Sequence, residues 1–193
     1  ERVVTIEETQ ELQLESTPPD CVSLQARAPN IEGAGGISIR SLVKNALRMR
    51  PTRIIVGEVR GSEALDMLSA MNSGHEGSMG TIHSNGPRQA LAKLGLYALM
   101  AEEARPAQAV NEMIAEAINL VVHLRLDAPT GRRQVSSIYE VTGMEEGTIA
   151  GSYIYTIESD ELVWQGIRPR AADVIRRRGF PWESAENGHA RTI

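Results

Sequence analysis

Residues 53–91 read RIIVGEVRGSEALDMLSAMNSGHEGSMGTIHSNGPRQAL. The stretch opens on Ile54, Ile55 and Val56 and breaks at Gly57-Glu58. A short β-branched run bounded by a turn residue predicts a buried strand of a parallel sheet. Glu58 then stands at the C-terminal end of that strand, where open α/β sheets place their ligands. An unpaired charge beside a buried strand is costly, so a carboxylate there is expected to serve a cation or a reaction. The plain alternative is an ordinary surface salt bridge, worth about 0–1 kcal/mol.

Downstream, Ala64, Leu65, Leu68 and Met71 recur at helical spacing from about Ser62, and Gly74 is placed to end that helix. A strand is predicted over residues 78–83, carrying Thr81 and His83 to one face and Ile82 to the other. Pro87 opens the next helix, at a position that tolerates its missing N–H. After Pro106 a further helix is expected to bury Ala109, Met113, Ala117 and Leu120. Residues 120–126 (LVVHLRL) and 134–141 (QVSSIYEV) predict antiparallel strands about the turn at 127–131. Weaker strands at 152–157 and 162–165 and a basic helix at 169–178 follow.

Upstream, residues 2–6 (RVVTI) and 22–27 predict strands, and 28–36 (APNIEGAGG) a loop. Ile39, Leu42, Val43, Ala46 and Leu47 give a helical stripe that Pro51 halts. Alternating strands and helices followed by late hairpins predict an α/β fold with a mostly parallel sheet, antiparallel strands and a C-terminal helix appended. The expected organisation is a core over 1–126, an antiparallel appendage and basic helix over 127–180 continuing the same domain, and a disordered tail over 181–193.

Composition narrows the function. The 193 residues are 41% apolar and 23% charged, as in an ordinary globular domain. A net charge of -5 and an aromatic content of 4% argue against a nucleic-acid-binding surface. A single cysteine, Cys21, excludes an internal disulfide and suits a reducing cytoplasm. No apolar stretch approaches the ~20 residues of a membrane span. The chain begins on Glu1 and enters a strand almost at once, so it is expected to continue a longer polypeptide.

Other groups could join Glu58. Glu7, Glu8 and Glu11 cluster at the end of the first strand, where carboxylates can hold hydrated Mg²⁺ or orient a water; an acidic, solvated turn is the simpler alternative. His75 and His83 do not match a zinc spacing, even with Cys21. Arg40, Arg48, Arg50 and Arg53 form a basic cluster ahead of the Ile54–Val56 strand. Either they pair with local carboxylates and solvent, or they contact phosphate or a neighbouring subunit.

The 53–91 stretch resembles the Walker B and His boxes of the type II/type IV secretion and pilus ATPases, and residues 5–11 (TIEETQE) resemble their Asp box, with Glu8 where Asp is usual. Residues 29–33, 42–51, 136–145 and 166–170 resemble the tight-adherence (Flp) pilus assembly ATPases in particular. The resemblance implies the C-terminal part of a RecA-like P-loop NTPase core, using ATP and Mg²⁺ as a homo-hexamer. Such a ring would sit in the cytoplasm, peripheral at the inner membrane, with pilus or secretion platform proteins as partners.

By the same resemblance Glu58, Glu7 and Glu11 are the catalytic candidates, with Glu7 and Glu58 as Mg²⁺ candidates directly or through water. Gly57, Arg60, His75, Thr81, His83, Asn85 and Glu8 would contact the nucleotide. Glu58 would polarise the attacking water, and Gly57 would let the backbone approach closely. His83 would sense the γ-phosphate. Arg60 could meet phosphate or pair with Glu58. The phosphate-cradling Gly-x-x-x-x-Gly-Lys-Ser/Thr is absent from the sequence. The alternatives are a conjugation or effector-secretion ATPase, or a catalytically inert interaction fragment.

Overall fold

Ile54 and Val56 are buried in strand β3 (Arg53–Val56) of the computed structural model, which describes residues 1–14, 20–127 and 130–180. β3 runs parallel to β1 (Arg2–Glu7) on one side and to β4 (Met79–Gly80) on the other. β2 (Asp20–Gln25) completes the order β2-β1-β3-β4. Val4 lies opposite Ile54 and Ile6 opposite Val56. β1 is buried from Val3 to Glu7, on both faces, as expected of an inner parallel strand.

Among the described residues, four α-helices join this sheet in the first compact unit, Glu1–Ala117. α1 (Ile39–Ala46) starts where the Ser38 hydroxyl accepts from the Ser41 N–H, and it buries Ile39, Leu42, Val43 and Ala46. A 3₁₀ turn over Leu47–Met49 and the left-handed Arg50 end it before Pro51. α2 (Glu63–Met71) packs against α1, α3 (Pro87–Leu99) and α4 (Ala107–Ala117). α3 and α4 meet at Gly95, where a Cβ would stand 3.4 Å from Ile114.

The second compact unit, Ile118–Ile193, is an antiparallel sheet of β5 (Leu120–Leu126), β6 (Arg133–Glu145), β7 (Thr148–Glu158) and β8 (Glu161–Trp164), in that order. The β6–β7 and β7–β8 turns place Glu146-Gly147 and Ser159-Asp160 at positive φ, the twist that tight hairpins require. Tyr139, 1% exposed, lies edge-on to Tyr153 and over Gly151, where a Cβ would come within 2.5 Å of its ring. Only glycine fits there. Buried Glu140 accepts the Arg170 N–H just ahead of α5 (Ala172–Arg177).

Several details depart from the sequence reading. The second strand begins two residues earlier than expected, at Asp20. β4 has two residues rather than six, because Ile55↔Met79 and Val56↔Gly80 are its only ladder positions on β3. In α2, Met67 and Ala70 are buried while Met71 is half-exposed. In α4 the inward stripe is Val110 and Ile114, not Ala109, Met113 and Ala117, and Leu120 is exposed. The apolar residues 109, 113, 117 and 120 share a spacing of three to four, so periodicity alone picks the wrong edge of the stripe. The expected antiparallel pairing of 120–126 with 134–141 is present, as β5 on β6. The late hairpins are longer than expected and α5 shorter. The tail expected over 181–193 lies outside the described residues.

Candidate functional site

The site grows from the ends of β1 and β3. The Gly57 N–H donates to the Ile6 carbonyl at 2.8 Å, the last rung of that ladder. One residue further, the Glu7 side chain crosses Gly57, and a Cβ at position 57 would fall 2.7 Å from Glu7 Cγ. Gly57 is therefore the gap that lets the buried Glu7 side chain cross the end of β3. Glu7 is 4% exposed, and its Oε1 accepts from the backbone N–H groups of Glu11 and Leu12 at 3.0 and 3.1 Å. Its Oε2 has no partner among the described residues.

Glu58 is held from two sides. Its Oε2 lies 2.6 Å from the Arg60 guanidinium, and its Oε1 lies 3.3 Å from His83 Nε2. The hydrogen bond from Arg60 holds the Glu58 carboxyl below the usual carboxylate range; partial burial opposes this, and the charges of Arg60, His83 and Lys93 reinforce it. Arg60 also reaches Glu8, 3.3 Å away, so the longer arm at position 8 spans to the same guanidinium. Of the two roles open to Arg60, the structure displays pairing with Glu58.

Thr81 joins β4 to this end of the sheet. Its N–H donates to the Val56 carbonyl, its hydroxyl donates to the Gly57 carbonyl, and its own carbonyl accepts from Val59. Thr81 and His83 are exposed with Ile82 half-buried between them, so the expected alternation survives although the strand stops at Gly80. Beyond Thr81 the chain passes His83, Ser84 and Asn85, which with Gln89 and Lys93 line an open polar depression of about 400 Å³.

Not every expected residue gathers here. His75 turns its Nδ1 to the Ala70 carbonyl near the end of α2, 3.0 Å away, and has no described contact with Glu58 or Glu7. Glu11 contributes its backbone N–H, while its side chain is exposed. Arg40 pairs with Asp66 at 2.6 Å and with Glu103. Arg53 pairs with Glu1 at 2.8 Å. Two members of the basic cluster are thus satisfied by local carboxylates, whereas Arg48 and Arg50 are exposed.

Lys93 was not singled out from the sequence. Its Nζ donates to the His83 carbonyl at 2.9 Å. Side chains on a helix lean toward its N-terminus, so a lysine six residues inside α3 can reach the loop that precedes Pro87. That lean was the available signal.

The residues present suit a hydrated divalent cation only in part. The unpartnered Oε2 of buried Glu7 fits a cation or its water, yet no group of three or more His, Cys, Asp or Glu among the described residues could hold a metal alone. Mg²⁺ commonly takes one or two carboxylates and completes its shell with water and phosphate.

The family described as Type II/IV secretion system protein matches residues 1–151. A putative conjugal transfer protein of Mycobacterium tuberculosis is 43% identical over 138 residues, 72% of this chain and 38% of that protein. The type IV secretion system protein PtlH of Bordetella pertussis is 35% identical over 147 residues, 75% and 43% of the two chains. The crystal structure of the VirB11 ATPase from the Brucella suis type IV secretion system, in complex with sulphate, superposes with a TM-score of 0.62 at 28% identity, covering 72% of this chain and 40% of that one. The chain thus spans less than half the length of these relatives. The mixed α/β fold with parallel and antiparallel sheets is the architecture expected from the sequence.

Proposed function

The chain belongs to the type II/IV secretion system protein family, and on that premise we propose that it carries the water-orienting half of an ATP-hydrolysing motor. The observation that carries this reading is Glu58, at the end of a buried parallel strand, clamped between Arg60 and His83 and next in sequence to Gly57, over which buried Glu7 passes. In the full-length protein, water attacks the γ-phosphorus of ATP, the bond to the β,γ-bridging oxygen breaks, and ADP and phosphate leave.

Glu58 is ionised at neutral pH and accepts a hydrogen bond from the attacking water, aligning its lone pair. Arg60 and His83 fix the carboxylate's direction, and His83 registers departure of the γ-phosphate. The Glu7 Oε2, without a partner among the described residues, would accept from, or ligate, hydrated Mg²⁺, which when bound would offset the negative charge on the transferring phosphoryl group. Thr81 and Asn85 border the same opening. The phosphate cradle has to be supplied from outside residues 1–193, which contain no Gly-x-x-x-x-Gly-Lys-Ser/Thr.

The motor works as a homo-hexamer at the cytoplasmic face of the inner membrane and drives pilus assembly or protein secretion. Residues 136–145 and 166–170 support the tight-adherence pilus branch. Relatives at 35–43% identity, a putative conjugal transfer protein and a type IV secretion system protein, support the second reading, a conjugation or effector-secretion motor. No helix among the described residues is long and apolar enough to cross a membrane, so this part of the chain would meet the membrane through platform proteins.

The test is Glu58→Gln in the full-length protein. It should retain ATP affinity and lose about 10²-fold or more in turnover. Turnover within a few-fold of wild type would remove Glu58 from the mechanism.

A further inference from the structure

The segment that presents His83 lacks the support its neighbours enjoy. The β4 ladder ends at Gly80, and Thr81 is tied to Val56, Gly57 and Val59. Two residues later, the backbone of His83 receives a single hydrogen bond among the described residues, from Lys93 Nζ at 2.9 Å. The imidazole extends into solvent, 84% exposed, with its Nε2 3.3 Å from Glu58. So exposed a ring, on a segment without ladder bonds, keeps one orientation only if its backbone is anchored.

We propose that Lys93 is a positioning residue: by anchoring the His83 carbonyl from α3, it sets the imidazole against Glu58. The lysine is itself constrained, being half-buried with its ammonium 5.5 Å from the centroid of the Tyr97 ring one turn along α3. Tyr97 thus steadies the stem while one N–H goes to His83. The ammonium is also close enough to contribute to holding the Glu58 carboxyl ionised. Helix α3, seated on α2 and α4, thereby has a direct mechanical link to the carboxylate at the end of β3. Any displacement of α3 changes where His83 stands, without touching Glu58 itself.

The proposal rests on the reading of Glu58 as the water-orienting carboxylate, and it is tested with two readouts in the full-length protein. Lys93→Met preserves stem length and helix propensity while removing the donor and the charge, and Lys93→Arg restores both. The first readout is nuclear Overhauser contact between the His83 ring and the Glu58 side chain. It should be present in wild type and Lys93→Arg and lost in Lys93→Met. The second is turnover: Lys93→Met should lower kcat about 10-fold with KM for ATP unchanged, Lys93→Arg should recover most of it, and Lys93→Met should add nothing to His83→Ala. Retained ring contact in Lys93→Met overturns the proposal, whatever the rate does. A folded wild-type protein without ATP turnover would instead defeat the hydrolytic reading, and the Overhauser comparison would still decide the role of Lys93.

Discussion

The α-carbon of Gly57 lies directly beneath the side chain of Glu7, so that a methyl group at position 57 would stand 2.7 Å from Glu7 Cγ. β1 and β3 can therefore end side by side with a buried carboxylate crossing from one strand over the other. Glu7 keeps its place by accepting the Glu11 and Leu12 N–H groups, which fold the chain back over the strand end.

Gly57→Ala should therefore destabilise the protein by about 1–3 kcal/mol, the usual cost of overpacking. Truncation at Glu7 removes the obstructing Cγ, so Glu7→Ala combined with Gly57→Ala should cost less than the sum of the single changes. Urea unfolding of the four proteins measures this. Strict additivity would mean that the two residues do not meet.

Arg60→Ala should move the Glu58 titration upward, because the guanidinium is the principal cause of its depressed carboxyl pKa. In wild type, the stability that ionised Glu58 contributes is complete above the ordinary glutamate value of about 4.3 and is lost as pH falls through the lower folded value. In Arg60→Ala the contribution is smaller and its loss is complete at a higher pH, because the folded value moves up toward the unfolded one. Carboxyl ¹³C shifts followed from pH 7 to 2 give the midpoint directly, and an unmoved midpoint would leave the depression to other groups.

If His83 reports the γ-phosphate, as proposed, rather than transferring a proton, His83→Ala should lower turnover in the full-length protein and flatten its dependence on protein concentration. Rates measured across the assembly transition provide the check. A normal rate with an unchanged concentration profile would leave His83 as an exposed partner of Glu58 and nothing more.

Residues 1–193 alone should bind Mg-ATP no tighter than about millimolar and should not turn it over, since the backbone cradle that supplies most phosphate affinity is absent from the sequence. Isothermal calorimetry is sufficient. Micromolar binding would reveal a phosphate site elsewhere, with 33–36 and 48–53 the first segments to search.

How much of this was legible in the sequence follows from which forces act locally. The Ile54–Val56 run and the Gly57 break specify a buried strand and its end through composition alone, and Pro87 and Pro51 punctuate helices through backbone chemistry. The buried edge of α4 was misread because it is set by what stands opposite: Ile114 meets Gly95 of α3, a contact no periodicity within 107–117 encodes. For the same reason the shortness of β4 was not visible. His75 and His83 look alike as motif residues, yet one turns to a carbonyl of α2 and the other to Glu58. Lys93 acts through a side chain that leans backward over a loop, so its role depends on tertiary geometry and not on a spacing.

Strand β5 carries Leu120, Val122, Leu124 and Leu126 on one face, each between 44% and 64% exposed, at the border of its sheet. Water therefore meets a hydrocarbon strip about 20 Å long, at ~3.4 Å per residue. His123 and Arg125 point to the opposite face, and no lysine or proline interrupts the strip to discourage strand-to-strand pairing. When these residues are handled by themselves, colloidal behaviour will set the practical limit before unfolding does. Turbidity will appear earlier on heating as the sample is made more concentrated, so the apparent melting point will fall with concentration and measure collisions between strips.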